Sequence, residues 1–236
     1  MTTAESFSCL VITGASRGIG LATAERFLDA GYRVINLSRS APPNPDIEHI
    51  NADLFDQGWT DKVAGELLAA VDGANDVTVV HNAALQSHGS VAELEADVLR
   101  QVLELNVVAP AALNRLLLPA MKPGSSIIYI GSTLSFKATA NVAAYVTSKH
   151  ALLGLMRSTC QDLGGSGIHT ACICPGFTDT EMLRGYGGEM LEQLAQASTM
   201  GRLVKPQEIA ETIFFCATNP AINGTLLRAD LGLIEH

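Results

Sequence analysis

A glycine-rich segment directly after an apolar run most constrains how this chain of 236 residues folds. The run from Ser8 to Thr13 has the length and composition of a buried strand, and Gly14, Gly18 and Gly20 follow it where a helical pattern begins. Glycine there lets the backbone turn tightly and approach a ligand closely, while the free N–H groups at a helix start attract an anion. A strand-to-helix turn alone also needs glycine, but this context favours a site for a nucleotide pyrophosphate.

Strand-length apolar runs alternate with helical patterns along the whole sequence. After the first run they cover residues 33–37, 76–81, 126–130, 169–174 and 225–229. This alternation predicts an α/β fold, a Rossmann-type doubly wound parallel β-sheet with helices on both faces. With 236 residues and 47% hydrophobic content, we expect one domain over residues 1–236. The predicted helices at 94–118 and 143–163 are unusually apolar, which favours a homodimer or a homotetramer.

Charge and hydropathy exclude several classes of protein. A net charge of −9 and a pI near 5.0 oppose the basic surface that nucleic acids or anionic membranes require. Residues 1–8 lack the basic and apolar regions of a secretory signal, and the apolar stretch 107–121 is interrupted by Asn114, Arg115 and two prolines. We therefore expect a cytoplasmic protein without a nucleic-acid or membrane partner.

The cysteines and histidines predict neither a disulfide framework nor a metal site. The five cysteines are an odd number and three of them lie in apolar runs, which is typical of reduced core thiols. Cys172 and Cys174 share one face of a predicted strand, but no second cysteine or histidine pair completes a four-ligand zinc site. The histidines are scattered, so we expect no metal.

The spacing Gly-x-x-x-Gly-x-Gly between Gly14 and Gly20 resembles that of the short-chain dehydrogenase/reductase family. Further motifs of that family are matched in order, from Val11 to about Asp230, by Asn82-Ala83-Ala84, Asn106, Ser132, Tyr145, Lys149 and the segment from Pro175-Gly176 to Thr180. His81 and Ala84 depart from its central Asn-Asn-Ala-Gly motif. The resemblance implies an oxidoreductase that interconverts a carbonyl and a secondary alcohol by hydride transfer with a nicotinamide cofactor.

The residues after the second predicted strand decide which nicotinamide cofactor is expected. NAD enzymes place a carboxylate there on the ribose 2′-hydroxyl, whereas this chain has Ser38-Arg39. Arg39, together with Arg17 in the glycine loop, can bind a 2′-phosphate by bidentate charge-assisted hydrogen bonds. Each arginine alone would be read as an ordinary surface charge, but their joint position favours NADP(H) over NAD(H).

The full set of expected cofactor-binding residues comes from these motifs and from the resemblance. It comprises Gly14, Ser16, Arg17, Gly18, Ile19, Gly20, Ser38, Arg39, Asp53, Leu54, Asn82, Ala83, Tyr145, Lys149, Pro175, Gly176, Thr178 and Thr180. The resemblance implies that Asp53 hydrogen-bonds the adenine, that Lys149 holds the nicotinamide ribose and that Thr180 holds the carboxamide.

Four residues are expected to carry the catalysis. Tyr145 and Lys149 are four apart in a helical pattern, so they share a face, and a nearby ammonium lowers the pKa of a phenol. By the resemblance, Tyr145 is the general acid and base, Ser132 binds the carbonyl oxygen, and Asn106 keeps a water in contact with Lys149. Taken singly, each residue also has an ordinary structural explanation, such as capping or satisfying backbone groups.

Residues 181–200 are predicted to form a short helix pair that serves as a lid over the substrate. Apolar surface there comes from Met182, Leu183, Tyr186, Met190 and Leu194, although the same residues could merely cover the core. Acidic residues outnumber basic ones on this segment, which favours a free, small, apolar substrate over an acyl chain on a carrier protein. A 3-oxoacyl-thioester reductase, a non-catalytic NADP(H)-binding redox sensor and a structural oligomer stay open as alternatives.

Overall fold

The computed structural model describes residues 6–185 and 187–235, and its strands form one parallel sheet. The strands are β1 (Ser8–Thr13), β2 (Arg33–Ser38), β3 (Glu48–Asn51), β4 (Asp76–His81), β5 (Ser126–Ile130), β6 (His169–Pro175) and β7 (Thr225–Ala229). Their order across the sheet is β3-β2-β1-β4-β5-β6-β7. The order reverses between β1 and β4, so a crevice opens outside the carboxyl ends of these two strands.

Helices cover both faces of the sheet. They are α1 (Gly18–Asp29), α2 (Trp59–Val71), α3 (Ala96–Leu103), α4 (Ala109–Leu117), α5 (Ala143–Asp162), α6 (Glu181–Arg184), α7 (Gly188–Gln196) and α8 (Pro206–Thr218). Leu10 and Ile12 of β1 pack in the core layer with α1 and α8, whereas Cys9 and Val11 pack with α2, α4 and α5. Successive β1 side chains thus enter opposite layers, as the pleat of a strand requires.

The predicted fold class is confirmed: the chain is a single doubly wound α/β domain. The interpretation of the sequence missed β3, because three of its four residues are polar and the strand lies at the sheet edge. The predicted helix at 94–118 is present as α3 and α4, joined by the π-helical turn Glu104–Val108. A π-helical turn has a wider hydrogen-bonding pattern than an α-helical turn, and such turns inside α-helices are frequent at functional sites.

The continuous helical run Ala96–Ala120 passes a test of length and composition for a membrane span. It is the only run among the described residues that does so, and 39% of its most apolar window is buried within the protein. Core helices of soluble proteins pass the same test, so this run gives no membrane assignment.

Candidate active site

A cleft of about 940 Å³ lies outside the carboxyl ends of β1 and β4. It is lined by every expected cofactor-binding residue: Gly14, Ser16, Arg17, Gly18, Ile19, Gly20, Ser38, Arg39, Asp53, Leu54, Asn82, Ala83, Tyr145, Lys149, Pro175, Gly176, Thr178 and Thr180. Ser132 lines the same cleft, whereas Asn106 does not. Open α/β sheets bind their ligands at this topological switch point.

The glycine loop combines an unusual backbone conformation with close packing that leaves no room for side chains. Gly14 and Gly18 have φ values of +75° and +57°, in the left-handed region that L side chains rarely adopt. A Cβ atom at Gly20 would overlap the carbonyl oxygen of Gly14 and the side chain of Asn82. Gly14 N–H donates to Leu37 and Ala15 N–H donates to Asn36, and the loop then leads into the N-terminus of α1, where the N–H groups of a first helical turn can hold an anionic phosphate group.

Asn82 connects the end of β4 to the glycine loop. Its side-chain nitrogen donates to the carbonyl oxygens of Thr13 and Gly14, each at 3.0 Å. The Thr13 hydroxyl oxygen in turn accepts hydrogen bonds from the backbone N–H groups of Asn82 at 3.1 Å and Ala83 at 3.0 Å. These bonds hold the two switch-point strands in register, and Thr13 is a supporting residue that the interpretation of the sequence missed.

Asn36 is a second supporting residue that the sequence interpretation missed. It is fully buried in β2, and its side-chain oxygen accepts a hydrogen bond of 2.8 Å from the backbone N–H of Ala15 in the glycine loop. Its side-chain nitrogen donates to the Ser38 hydroxyl at 2.9 Å. A polar residue in the otherwise apolar run Val34–Leu37 was the available signal, since buried polar groups need partners.

The two arginines expected at a 2′-phosphate differ in their surroundings. Arg39 is exposed at the cleft and has no carboxylate partner in residues 6–185 and 187–235. Arg17 forms an ion pair of 3.1 Å with Glu181 at the start of α6, and both side chains are exposed. Arg17 thus shares its charge with a carboxylate 164 residues away, and the expectation that it binds a 2′-phosphate together with Arg39 stays a prediction.

The expected catalytic group assembles on α5 and on the turn after β5. The Lys149 ammonium is buried, donates 2.7 Å to the carbonyl oxygen of Ile130 and lies 5.5 Å from the centre of the Tyr145 ring. The Ser132 hydroxyl accepts a hydrogen bond of 3.1 Å from Leu134 N–H and caps the turn Thr133–Ser135. The loop from this turn to α5 thus connects Ser132 to Tyr145 at one end of the cleft.

The pKa of Tyr145 shifts in the direction opposite to the one expected. Burial raises the pKa of Tyr145 to about 12, and the hydrogen bond with Ser132 offsets only part of that rise. Burial likewise lowers the pKa of Lys149 to about 8. The expectation that the ammonium brings the phenol closer to neutrality is wrong here because desolvation of the phenolate dominates.

Asn106 supports the site from one layer behind it. It lies in the π-helical turn, is 1% exposed, and bonds the backbone of Leu85 twice, accepting from its N–H at 2.7 Å and donating to its oxygen at 2.9 Å. It also donates 2.9 Å to the Ser148 hydroxyl next to Lys149. These bonds hold the loop after β4 against α5, and the water contact expected from the resemblance stays a prediction.

His81, which departs from the family motif, faces the core and is absent from the cleft lining. Its Nε2 donates 2.7 Å to the side-chain oxygen of Asn114 on α4, and Asn114 donates 2.7 Å to the Tyr129 hydroxyl. Burial lowers the pKa of His81 to about 4, so the ring is neutral. The histidine in place of the family's asparagine therefore changes polar packing in the core. Asn82, the next residue, lines the cleft.

The predicted helix pair is observed as α6 and α7. Its apolar side chains Met182, Leu183, Met190 and Leu194 line the cleft, while Tyr186 lies outside the described residues. The lining also includes Gln86 after β4 and Lys137, Thr139 and Asn141 after β5, and these two loops are joined where Gly89 N–H donates 2.9 Å to the carbonyl oxygen of Asn141. The α6–α7 segment therefore contributes mainly apolar side chains to the cleft, and the two loops add polar ones.

Comparisons with known proteins cover nearly the whole chain. A family model described as enoyl-(acyl carrier protein) reductase matches residues 14–234. Cis-4-hydroxycyclohexanecarboxylate dehydrogenase from Sinomonas cyclohexanicum is 29% identical over 94% of this chain and 94% of that protein. The ligand-free structure of Thermoplasma acidophilum aldohexose dehydrogenase has a TM-score of 0.89 at 29% identity, over 98% of this chain and 95% of that one. A blue fluorescent protein from a metagenomic library, in complex with NADPH, has a TM-score of 0.87 at 26% identity. The match covers 97% of this chain and 98% of that one.

Proposed function

Because the chain belongs to the short-chain dehydrogenase/reductase family, we propose that it is an NADP(H)-dependent oxidoreductase interconverting a carbonyl and a secondary alcohol on a small substrate. One observation carries the proposal: a single cleft contains the glycine loop at one end and Ser132, Tyr145 and Lys149 at the other. The first group suits a dinucleotide and the second suits proton exchange with a substrate oxygen. A redox sensor would need only the first group, and a structural oligomer would need neither.

The preference for NADP(H) rests on charge at the end of β2. Arg39 is a cation at the cleft that makes no ion pair within the described part of the chain. The neighbouring Ser38 hydroxyl donates to Ser40 and carries no charge that would repel a phosphate. The NADPH complex of one structural neighbour gives this preference independent support.

The glycine loop fits the pyrophosphate of such a cofactor, because Gly14 and Gly18 line the cleft without side chains and the loop leads into the N-terminus of α1. The loop N–H groups would hold the phosphates, Arg39 the 2′-phosphate, Lys149 the ribose hydroxyls, and the segment from Pro175 to Thr180 the carboxamide. When bound, the reduced nicotinamide supplies the hydride. The protein's own residues supply position and the proton.

Tyr145 is the proton donor in the direction of carbonyl reduction. With a pKa raised to about 12, its hydroxyl keeps its proton at neutral pH and can donate it to a carbonyl oxygen that gains negative charge. Ser132 donates a second hydrogen bond to that oxygen and fixes its position. Lys149 stabilises the phenolate that remains, and its lowered pKa of about 8 suits return of a proton from solvent.

Assembly and location stay predictions. We propose a homodimer or a homotetramer, supported by apolar side chains that remain exposed on the surface, such as Val108 in the π-helical turn and Phe215 on α8. We also propose a cytoplasmic protein whose partners are small molecules, with α6 and α7 acting as the lid. The four apolar side chains that these helices place in the cleft support that role.

Turnover of a carbonyl panel tests the proposal. Purified protein is assayed for NADPH and NADH oxidation with cyclohexanone, 4-oxocyclohexanecarboxylate and acetoacetyl-CoA. We expect reduction of a free ketone, and Y145F should lower kcat by about 100-fold or more, a loss that remains at saturating NADPH. Y32F, whose ring packs near α1 away from the cleft, is the matched control and should keep full activity.

Three other outcomes have distinct meanings. Tight NADPH binding without turnover of any carbonyl would favour the redox sensor, and turnover of acetoacetyl-CoA alone would favour the 3-oxoacyl-thioester reductase. Unchanged kcat in Y145F would refute the proton-transfer assignment. Failure to bind either dinucleotide would overturn the proposal as a whole.

A further inference from the structure

Two parts of the cleft lining differ in chemistry. The apolar wall, Met182, Leu183, Met190 and Leu194, comes from α6 and α7. The polar wall, Gln86, Lys137, Thr139 and Asn141, comes from the loops after β4 and β5 and provides amide, hydroxyl and ammonium groups, with Ala140 and Val142 lining the cleft beside them. A ligand that fills this space must present an apolar surface to one wall and polar groups to the other.

The polar wall is built on constrained backbone. Asn141 has a φ of +64°, a left-handed conformation that few residues other than glycine adopt, and its carbonyl oxygen accepts a hydrogen bond from Gly89 N–H. Ala143 N–H donates 3.4 Å to the carbonyl oxygen of Gly89 and completes the junction between the two loops. Lys137 is therefore carried by a loop held at both ends, by the turn capped by Ser132 and by the start of α5.

Charge distinguishes Lys137 from the other cations of the cleft. Arg17 pairs with Glu181, Lys149 donates to the carbonyl of Ile130, and Arg39 follows Ser38 at the end of β2. Lys137 makes no ion pair in the part of the chain that the structure describes. In a chain of net charge −9, an unpaired cation beside the substrate space makes that space locally favourable for an anion.

We propose that Lys137 binds a carboxylate of the substrate, so that the preferred substrates are oxo acids or hydroxy acids with an apolar carbon skeleton. This inference rests on the proposed function and refines its small, apolar substrate. The skeleton contacts the methionine and leucine side chains of α6 and α7. The carboxylate contacts the Lys137 ammonium, and the carbonyl thereby points towards Ser132 and Tyr145.

Matched acid and ester substrates test this assignment. Initial rates are measured with NADPH for 4-oxocyclohexanecarboxylate and for its methyl ester, which has the same ring and carbonyl but no charge. We expect wild-type kcat/KM to be about 10-fold higher for the acid, mostly through KM, and the advantage to shrink as salt is added. K137Q should remove the acid-to-ester preference and K137R should keep it, whereas the control K62Q, outside the cleft, should leave it unchanged.

A binding experiment separates this inference from the proposed function. Cyclohexanecarboxylate has the ring and the anion but no reducible carbonyl, and its affinity for the protein with NADP⁺ is compared with that of cyclohexanecarboxamide. We expect the acid to bind about 10-fold more tightly than the amide, and K137Q to remove that difference. Equal use of acid and ester by the wild type, or K137Q-independent binding of the acid, would overturn the inference. Absence of turnover together with Lys137-dependent binding would refute the proposed reaction and leave the anion site intact.

Discussion

Replacing Arg39 by alanine tests how this cleft selects its cofactor. NADPH and NADH differ only in the 2′-phosphate, and the guanidinium of Arg39 is exposed beside the space where the adenosine ribose would lie. No carboxylate among the described residues competes for that guanidinium. The substitution should therefore weaken NADPH binding and leave NADH binding almost unchanged.

The size of the effect follows from the exposure of Arg39. A charge-assisted hydrogen bond contributes about 1.5–3 kcal/mol when it is desolvated, and an exposed pair contributes about 1 kcal/mol or less. A bidentate contact with a dianionic phosphate at the rim of a cleft lies between these limits, at about 1.4 kcal/mol. We therefore expect the Kd for NADPH to rise about 10-fold in R39A at low ionic strength, and less as salt is added.

Fluorescence titration with each nucleotide measures both dissociation constants. R157A is the matched control, because Arg157 is an exposed arginine on α5, outside the cleft, without an ion pair in the described ranges. An equal rise for NADPH and NADH in R39A would show that the arginine shapes the loop and does not bind the phosphate. Wild-type protein that binds NADH as tightly as NADPH would refute the assignment of cofactor preference.

Three further substitutions test contacts that lie away from Arg39. E181Q should release Arg17 from its ion pair and lower the Kd for NADPH about 2-fold, as the same titration would show, and an unchanged Kd would mean that the pair does not compete. N36A should leave Ala15 N–H unpartnered and lower the free energy of unfolding by about 1–3 kcal/mol in urea titrations, with weaker binding of both nucleotides. At His81 burial lowers the pKa from 6.5 to about 4, so the unfolded chain takes up a proton first as the pH falls. The free energy of unfolding should drop by about 3 kcal/mol from pH 6.5 to pH 4, and H81Q should reduce that slope; an equal slope in both proteins would contradict the argument.

Local spacing predicted the parts of the site that depend on a single element. The glycine loop follows from backbone conformation, because only glycine enters the left-handed region freely at positions 14 and 18. Tyr145 and Lys149 share one face of α5 because they are four residues apart. Alternation of apolar strands with helices likewise predicted the sheet and its two helical layers.

Tertiary packing decided which groups surround those residues. Asn36 in β2 holds the glycine loop that follows β1, and Glu181 pairs with Arg17 over 164 positions of sequence. Local spacing in the sequence predicts neither contact. Burial, which depends on every element packed around a side chain, raised the pKa of Tyr145 where the sequence predicted a fall. The sequence by itself therefore determined the fold class and the candidate residues that the fold brings together in one cleft. Only the tertiary structure decided their charge states and partners, because desolvation and long-range contacts exist only once the chain is packed.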